Sequence, residues 1–374
     1  EFAPEAHEGD PAVFQARAAA LPALPPSPVQ KADIVVWLNE STFDPRNYHL
    51  PGARLPHLRM MDAAPTTRAR DHLRVHTYGG KTWLSEFSLL TGLVPDDFGA
   101  RRNLVFNSVT PNTTSNLVRA LKADGYKTVV LMPTFKRFYG AGRTYLGTGF
   151  DQVLTLRDFP EYDNVPGDEW DIADSDRLAQ AAQTIVERHR AGPDGAQPLL
   201  LYLLSIKEHA PYSKKTPIDY ALQRVPIKES LQHKLSDYLG KLVKLDNALL
   251  ALQQALFRNG ERPVVFAWFG DHQAYFEEDA PPYTYDLPKP DYLTQFQLRT
   301  NFNAPATATG DYFDIAFLPS LLIDYAGARP DDYFAGLSAM RRLCGGLMDE
   351  CADKALVQSY KAWVFSPGLG LFAQ

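Results

Sequence analysis

The sequence has few cysteines, no excess of positive charge and no long apolar run. It contains two cysteines among 374 residues, and its formal net charge is −6. A nucleic-acid-binding domain usually carries a basic stripe, so this charge balance argues against nucleic acid as a partner. No apolar run approaches the ~20 residues that a helix needs to cross a bilayer. The N-terminus also lacks the basic and apolar regions of a signal peptide.

The two cysteines, Cys344 and Cys351, lie close together near the C-terminus. A local disulfide between them would suit an oxidising compartment, and a pair of reduced, buried thiols is the alternative. Neither cysteine has histidine neighbours that would indicate a zinc site. We predict the disulfide.

Short apolar runs alternate with helical patterns along most of the chain. Runs of this kind are typical of strands buried on both faces of a parallel sheet. The alternation predicts an α/β fold with a mainly parallel sheet flanked by helices. The predicted strands cover residues 32–38, 128–132, 198–205 and 263–269, and the predicted helices cover 116–124, 173–191, 230–257 and 314–322.

A glycine pair precedes a threonine in the segment His76–Phe87. Gly79 and Gly80 allow positive φ and close backbone approach, so the segment predicts a tight loop that leads into a helix. Thr82 would then lie at the positive end of the helix dipole, beside free backbone N–H groups. Such a position suits a hydroxyl that attacks a phosphoryl group. An ordinary turn in which Thr82 caps the helix is the alternative.

Polar side chains follow three of the predicted strands. Glu40 comes after the first strand, His209 after the third, and the Asp271–His272 pair after the fourth. Ligands of open α/β sheets bind at the carboxyl ends of the strands, so we expect these groups to meet at one edge.

Glu40, Asp271 and His272, together with Thr82, offer three oxygens and one nitrogen. This donor set suits one divalent cation, Zn²⁺ or Mn²⁺. A threonine hydroxyl is a poor nucleophile, and a bound cation would lower its pKa and neutralise charge at an attacked phosphorus. The sequence therefore predicts a metal site that includes Thr82.

The ordered set of motifs resembles the alkaline phosphatase superfamily, in particular its sulfatase-like, membrane-anchored phosphotransferases. These include lipoteichoic acid synthases, phosphoglycerol transferases of periplasmic glucans and phosphoethanolamine transferases. The resemblance covers about residues 30 to 335 and implies a three-layer sandwich around a central, mainly parallel sheet. The motifs are Asn39-Glu40-Ser41, Gly80-Lys81-Thr82 with Ser85-Glu86-Phe87, His209-Ala210-Pro211-Tyr212 and Gly270-Asp271-His272.

The resemblance also implies roles for individual residues. Glu40, Thr82, Asp271 and His272 match the metal ligands of the family, and Thr82 also matches its nucleophile. His209 matches a histidine that binds the substrate phosphate or assists proton transfer. In the family, the threonine attacks a phospholipid, diacylglycerol leaves, and a glycan hydroxyl then displaces the threonine from phosphorus.

The chain departs from the family at the headgroup site. Lipoteichoic acid synthases have a Trp-x-Arg pair where this sequence has Tyr139-Gly140-Ala141. Arg143, Lys136 and Arg137 are the candidates to replace the missing cation. We predict that Lys81, Tyr139, Arg143 and His209 bind the substrate. The sequence Thr82-Trp83-Leu84 does not match the formylglycine motif of sulfatases, so we reject sulfate ester hydrolysis as the main activity.

Three segments are expected in the chain. Residues 1–29 would form a helix and linker that lead to a membrane segment outside this sequence, residues 30–335 the catalytic domain, and residues 336–374 an extension packed on it. We expect transfer of phosphoglycerol from a phospholipid to a glycan on the periplasmic face of a bacterial inner membrane. Phosphoethanolamine transfer, a metal-dependent phosphodiesterase or phosphatase that uses water, and a metal-free binding domain are the alternatives.

Overall fold

An eight-stranded sheet forms the centre of the computed structural model, which describes residues 8–25, 27–29, 31–212, 220–223, 225–258, 262–277 and 280–372. The order of the strands across the sheet is β4-β3-β5-β1-β6-β7-β2-β8. The strands are β1 (Asp33–Asn39), β2 (Thr67–Arg74), β3 (Lys127–Met132), β4 (Gln152–Thr155), β5 (Leu199–Leu204), β6 (Val264–Gly270), β7 (Leu293–Thr300) and β8 (Phe313–Asp314).

Helices cover both faces of this sheet. They are α1 (Pro11–Ala19), α2 (Thr82–Thr91), α3 (Val105–Ser108), α4 (Leu117–Ala123), α5 (Ala141–Thr148), α6 (Pro160–Asp163), α7 (Glu169–Ile172), α8 (Ser175–Ala191), α9 (Glu229–Phe257), α10 (Leu318–Ala326), α11 (Asp332–Leu343) and α12 (Lys354–Val364). Among the described residues, no helix combines the length and apolarity needed to cross a membrane.

The residues of β1 alternate between two hydrophobic cores. Val36 and Leu38 belong to the core that includes residues of α2, α4 and α10 to α12, whereas Val35 and Trp37 belong to the core that includes α8 and α9. Successive side chains of a strand point to opposite faces, so a strand apolar at every position packs against both helical layers. The predicted α/β sandwich is therefore confirmed.

The sheet is mixed rather than wholly parallel. The four predicted strands form its parallel centre, β3-β5-β1-β6, and β4 extends it in parallel. Strand β7 runs antiparallel to both β6 and β2. Our sequence analysis missed β2 and β7 because both carry many polar residues. In β7, Gln297 and Arg299 are buried and hydrogen-bonded to distant parts of the chain.

Three features of the C-terminal part of the chain bear on the predictions. The predicted helix 314–322 begins later than expected: Asp314 pairs with β2 as part of β8, and its carboxylate accepts a hydrogen bond from the Ala316 amide ahead of α10. Helix α11 runs across position 335, where we had expected the catalytic domain to end. Cys344 and Cys351 form the predicted disulfide.

Candidate active site

The segment before α2 is the predicted tight loop. Gly79, Gly80 and Lys81 all have positive φ, and Thr82 is the first residue of α2. A Cβ at Gly79 would lie 2.8 Å from the Cβ of Tyr275, so a side chain would be crowded as well as strained there. The loop thus presents a partly buried Thr82 side chain at the N-terminus of a helix.

Glu40 follows the last residue of β1, and its side chain is buried. Its Oε2 accepts a hydrogen bond from the Thr82 hydroxyl at 3.2 Å, and its Oε1 accepts one from the Ser41 hydroxyl at 2.8 Å. The Glu40 amide donates to Ser205 Oγ at 3.0 Å, just past the end of β5. These contacts fix the carboxylate against Thr82.

Asp271 and His272 follow β6, the neighbour of β1 in the sheet. Asp271 Oδ1 accepts hydrogen bonds from the backbone amides of Ser41 and His272, both at 2.8 Å. A Cβ at Gly270 would lie 2.0 Å from the carbonyl oxygen of Thr42, so only glycine lets these two strand ends come so close. The expected meeting of Glu40 with Asp271 and His272 at one sheet edge is confirmed.

The buried side chains of Glu40, Asp271 and His272 turn their ligand atoms toward one another. His272 Nε2 lies 3.3 Å from Glu40 Oε1 and 3.3 Å from Asp271 Oδ2. His272 Nδ1 lies 2.9 Å from the carbonyl oxygen of Gln273, which can only accept, so Nδ1 carries the proton in the neutral ring. The lone pair of Nε2 therefore faces two carboxylates.

This crowding changes the acidity of all three groups. Burial raises the pKa of Glu40. Burial, and next the charge of Glu40, raise the pKa of Asp271 to about 7. Burial lowers the pKa of His272, but the adjacent carboxylates of Asp271 and Glu40 outweigh it and the net shift is upward. Protons or a cation are needed to hold the cluster together.

The donor set fits a divalent metal ion. The ligand atoms of Glu40, Asp271 and His272 all lie within 4.8 Å of one another. Asp271 Oδ2 and His272 Nε2 are buried and have no hydrogen-bond partner among the described residues. Two carboxylates and an imidazole match the preferences of Zn²⁺ and Mn²⁺, and the bond from Nδ1 to a carbonyl is the usual way to orient a ligating histidine.

His209 lies after β5 at the same edge of the sheet but outside this cluster. Its Nδ1 contacts the Ala210 carbonyl, and its ring packs edge-on against Trp170 with centroids 5.9 Å apart. Lys241 Nζ donates to the His209 carbonyl at 3.2 Å. Because Nδ1 is engaged with a carbonyl, Nε2 is the ring nitrogen that would be available if His209 binds substrate, as the sequence predicts.

The other residues predicted to bind substrate lie in different settings. The Lys81 side chain is exposed at the start of α2, and Arg143 is exposed on α5. Tyr139 is half-buried, and its hydroxyl donates to Glu86 Oε1 at 2.6 Å. Among the described residues, Arg143 makes no contact with Glu40, Asp271 or His272. Its role as the replacement cation stays a prediction.

Two buried glutamates near the site were missed as functional candidates. Glu208 accepts hydrogen bonds from Ser205 Oγ at 2.6 Å and from Ser175 Oγ at 3.0 Å. Since Ser205 Oγ also accepts from the Glu40 amide, Glu208 lies directly behind a predicted ligand. Glu86 lies one helical turn after Thr82, and this i, i+4 spacing was the signal that could have identified it.

Sequence comparisons place the chain among bacterial proteins. The family model described as Sulfatase matches residues 32–327. An uncharacterized protein of Haemophilus influenzae is 33% identical over 336 residues, which cover 90% of this chain and 61% of the relative. The capsular polysaccharide biosynthesis protein RkpI of Rhizobium meliloti is 26% identical over 260 residues, 70% of this chain and 44% of RkpI. The chain thus matches about half of the length of these relatives.

Solved structures share the fold at low sequence identity. The phosphoglycerol transferase GacH of Streptococcus pyogenes, in complex with sn-glycerol-1-phosphate, gives a TM-score of 0.73 at 16% identity over 98% of this chain and 96% of that chain. The lipoteichoic acid synthase LtaP of Listeria monocytogenes gives 0.64 at 17% identity, over 85% and 78%. The periplasmic domain of EptC from Escherichia coli, in complex with Zn, gives 0.56 at 16% identity, over 83% and 88%.

Proposed function

Since this chain belongs to the sulfatase family of the alkaline phosphatase superfamily, we propose that it transfers a phospholipid headgroup through a phosphothreonine at Thr82. The preferred headgroup is phosphoglycerol, and the acceptor is a glycan hydroxyl. The observation that carries the proposal is the hydrogen bond of 3.2 Å from the Thr82 hydroxyl to Glu40, beside a buried cluster suited to one divalent cation.

Glu40, Asp271 and His272, with Thr82, would hold the cation. When bound, it supplies positive charge that favours the alkoxide of Thr82 and neutralises the attacked phosphoryl group. The residues themselves provide orientation. Glu40 Oε2 fixes the Thr82 hydroxyl, and the N-terminus of α2 offers its dipole to the phosphoryl oxygens.

The reaction consists of two displacements at phosphorus. In the first, Thr82 Oγ1 bonds to phosphorus and loses its proton, while the bond from phosphorus to the diacylglycerol oxygen breaks and that oxygen gains a proton. In the second, a glycan hydroxyl oxygen bonds to phosphorus and loses its proton, while the bond from phosphorus to Thr82 Oγ1 breaks and Oγ1 regains a proton. His209 Nε2 either binds the phosphoryl oxygens or carries one of these protons. Positioning and charge stabilisation dominate such transfers.

The comparisons support the choice of headgroup and acceptor. GacH is a phosphoglycerol transferase and RkpI is a capsular polysaccharide biosynthesis protein, so phosphoglycerol and a glycan are the first substrates to test. Phosphoethanolamine is the second headgroup to test, because the sequence motifs also resemble those of phosphoethanolamine transferases. Because the donor is a membrane lipid, we propose that the enzyme acts at a membrane surface. The resemblance to membrane-anchored phosphotransferases makes the extracytoplasmic face, with attachment through a segment outside this sequence, the proposed location.

Release of diacylglycerol tests the proposal. The protein, loaded with Mn²⁺ or Zn²⁺, is incubated with phosphatidylglycerol or phosphatidylethanolamine, with and without a glycan acceptor. We expect release from phosphatidylglycerol that increases with the acceptor, because the second displacement then has its substrate. Thr82→Ala should lower the rate by at least ~10³-fold, whereas Thr82→Ser, which keeps a hydroxyl, should retain part of it.

Two outcomes would contradict this assignment. Normal turnover by Thr82→Ala would remove Thr82 as the nucleophile. Release that is unaffected by any glycan, with free glycerol phosphate as the product, would identify a phosphodiesterase that uses water.

A further inference from the structure

Glu86 is a buried acidic residue that the two displacements do not use. Its side chain is fully buried, and its carboxylate accepts hydrogen bonds from three tyrosine hydroxyls. Tyr139 donates to Oε1 at 2.6 Å, Tyr202 donates to Oε2 at 3.2 Å, and Tyr145 also donates to Oε2. A carboxylate only accepts hydrogen bonds, so three hydroxyl donors satisfy it without a cationic partner.

The three tyrosines differ in their surroundings. Tyr145 and Tyr202 are buried in the core, with relative exposures of 0% and 1%. Tyr139 is half-buried, and it alone bonds to Oε1. The Glu86 carboxylate is therefore bonded to two core tyrosines through Oε2 and to the half-buried Tyr139 through Oε1.

The backbone at Tyr139 is strained. Its φ is 36°, in the left-handed region that a bulky side chain rarely adopts. Strain of this kind costs about 1–3 kcal/mol and persists only where the surrounding structure holds it. Two hydrogen bonds do so here: the Tyr139 hydroxyl donates to Glu86, and the Tyr139 carbonyl accepts from Asn107 Nδ2 at 3.1 Å.

The strained residue lies beside the nucleophile. The ring of Tyr139 packs against that of Trp83, with centroids 5.8 Å apart, and Trp83 directly follows Thr82 in the chain. Phe138 adds a contact at 4.9 Å and continues to Trp170, whose ring contacts His209. Half-buried rings thus form a continuous wall from the residue after Thr82 to His209.

We propose that Glu86 is a positioning residue whose hydrogen bond to the Tyr139 hydroxyl holds that ring against Trp83 and so preforms one wall of the donor-headgroup site. The identity of the donor rests on the proposed function. The position of the ring does not, because it follows from the contacts of Glu86, Tyr139 and Trp83. Glu86 itself touches no reacting atom and acts through Tyr139.

Kinetics of Tyr139→Phe test the proposal without removing the ring. We expect the KM for phosphatidylglycerol to rise about tenfold, with kcat changed by less than about threefold, because a freed ring weakens headgroup binding and leaves Thr82 in place. Glu86→Met, which removes both acceptor oxygens, should raise KM similarly. The double variant should be no worse than Glu86→Met alone, since both changes remove the hydrogen bond between Glu86 and Tyr139. If the effects of the two substitutions on KM add up in the double variant, Glu86 does not act through Tyr139 and the proposal is wrong.

Tyr145→Phe is the matched control. It removes a hydroxyl from the other oxygen of the same carboxylate, inside the core. We expect a lower melting temperature and an unchanged KM. If Tyr145→Phe and Tyr139→Phe raise KM equally, Glu86 supports the fold alone and the positioning role is wrong.

A crystal structure of Tyr139→Phe, together with one of Glu86→Met if that variant folds, separates this inference from the proposed function. We expect the ring at position 139 to leave its contact with Trp83 in each variant. A ring that keeps the wild-type position would overturn the inference whatever the donor is. Failure of the wild-type protein to use either phospholipid would instead contradict the proposed function, while a displaced ring would still support the positioning role of Glu86.

Discussion

Two acidic clusters among the described residues differ in their charge balance, because one of them contains a lysine. At the carboxyl ends of β1 and β6, Glu40 and Asp271 face each other across His272. In the C-terminal region, Lys361 of α12 lies between Asp97 and Asp349, with its Nζ 2.5 Å and 2.7 Å from their carboxylate oxygens.

The comparison shows how an ion-paired cluster differs from a buried cluster that contains no lysine or arginine. Lys361 pairs with both acidic partners, and the three side chains link α12 to the 3-10 helical segment that contains Asp97 and to the turn that contains Asp349. Among the described residues, no lysine or arginine is paired with Glu40 or Asp271, and Asp271 Oδ2 and His272 Nε2 have no hydrogen-bond partner. Buried acidic groups without a cationic partner need bound protons or a cation from outside, because an uncompensated buried charge is costly.

The largest expected effect comes from removing one ligand of the first cluster. Asp271→Asn should lose the metal and lower phospholipid turnover by at least ~10³-fold, because the cation that activates Thr82 is no longer held. Asp349→Asn, in the cluster that contains Lys361, is the matched control and should keep its metal content and its turnover. Elemental analysis of the purified proteins and the diacylglycerol assay measure the two properties. Full metal content in Asp271→Asn would remove it from the ligand set.

The second effect concerns stability rather than metal. Lys361→Met should lower the free energy of unfolding by about 3 kcal/mol, because Asp97 would remain buried without its cation. The exposed pair Lys122–Asp151 provides the control: Lys122→Met should cost less than about 1 kcal/mol. Urea unfolding gives both values, and metal content should be normal in both variants. Equal losses would show that the burial of Lys361 is unimportant.

The pH dependence of stability tests the shifted pKa of Asp97, the buried acid next to Lys361. Burial raises the pKa of Asp97 to about 6, against the opposing charge of Lys361. Because the folded-state pKa is above the unfolded value, the stability from this group is present at low pH and is lost as pH rises from about 4 to about 6. The unfolding free energy of the wild type relative to Asp97→Asn should fall by up to about 3 kcal/mol over that range. Urea unfolding at each pH gives these free energies. If the unfolding free energies of the wild type and Asp97→Asn differ by the same amount at every pH, the raised pKa of Asp97 is contradicted.

The smallest effect comes from the disulfide beside the C-terminal cluster. Asp349 lies between Cys344 and Cys351, so reduction loosens the loop that carries one partner of Lys361. Closing a loop this short is worth about 2 kcal/mol, and we expect dithiothreitol to lower the unfolding free energy by that amount. Turnover per folded molecule should not change. A loss of metal on reduction would mean that the two clusters are coupled.

The sequence was most informative where local pattern decides structure. Continuous apolar runs identified the four central strands, and the polar residues at their ends identified Glu40, Asp271 and His272. Residues whose state depends on distant partners could not be predicted. Arg299 is buried in β7 because it bonds to Gln253 and to the carbonyl of Asp62. Glu86 accepts hydrogen bonds from tyrosines 53, 59 and 116 positions away, and no local sequence pattern predicts that set of contacts.

Intact mass spectrometry tests the central claim most directly. The metal-loaded protein is incubated with phosphatidylglycerol and, separately, with phosphatidylethanolamine, with Thr82→Ala as the control. We predict a covalent adduct that maps to Thr82, is absent from the variant and has the mass of phosphoglycerol. An adduct with the mass of phosphoethanolamine would change only the headgroup. No adduct from either lipid, in protein shown to contain bound metal, would contradict the phosphothreonine intermediate.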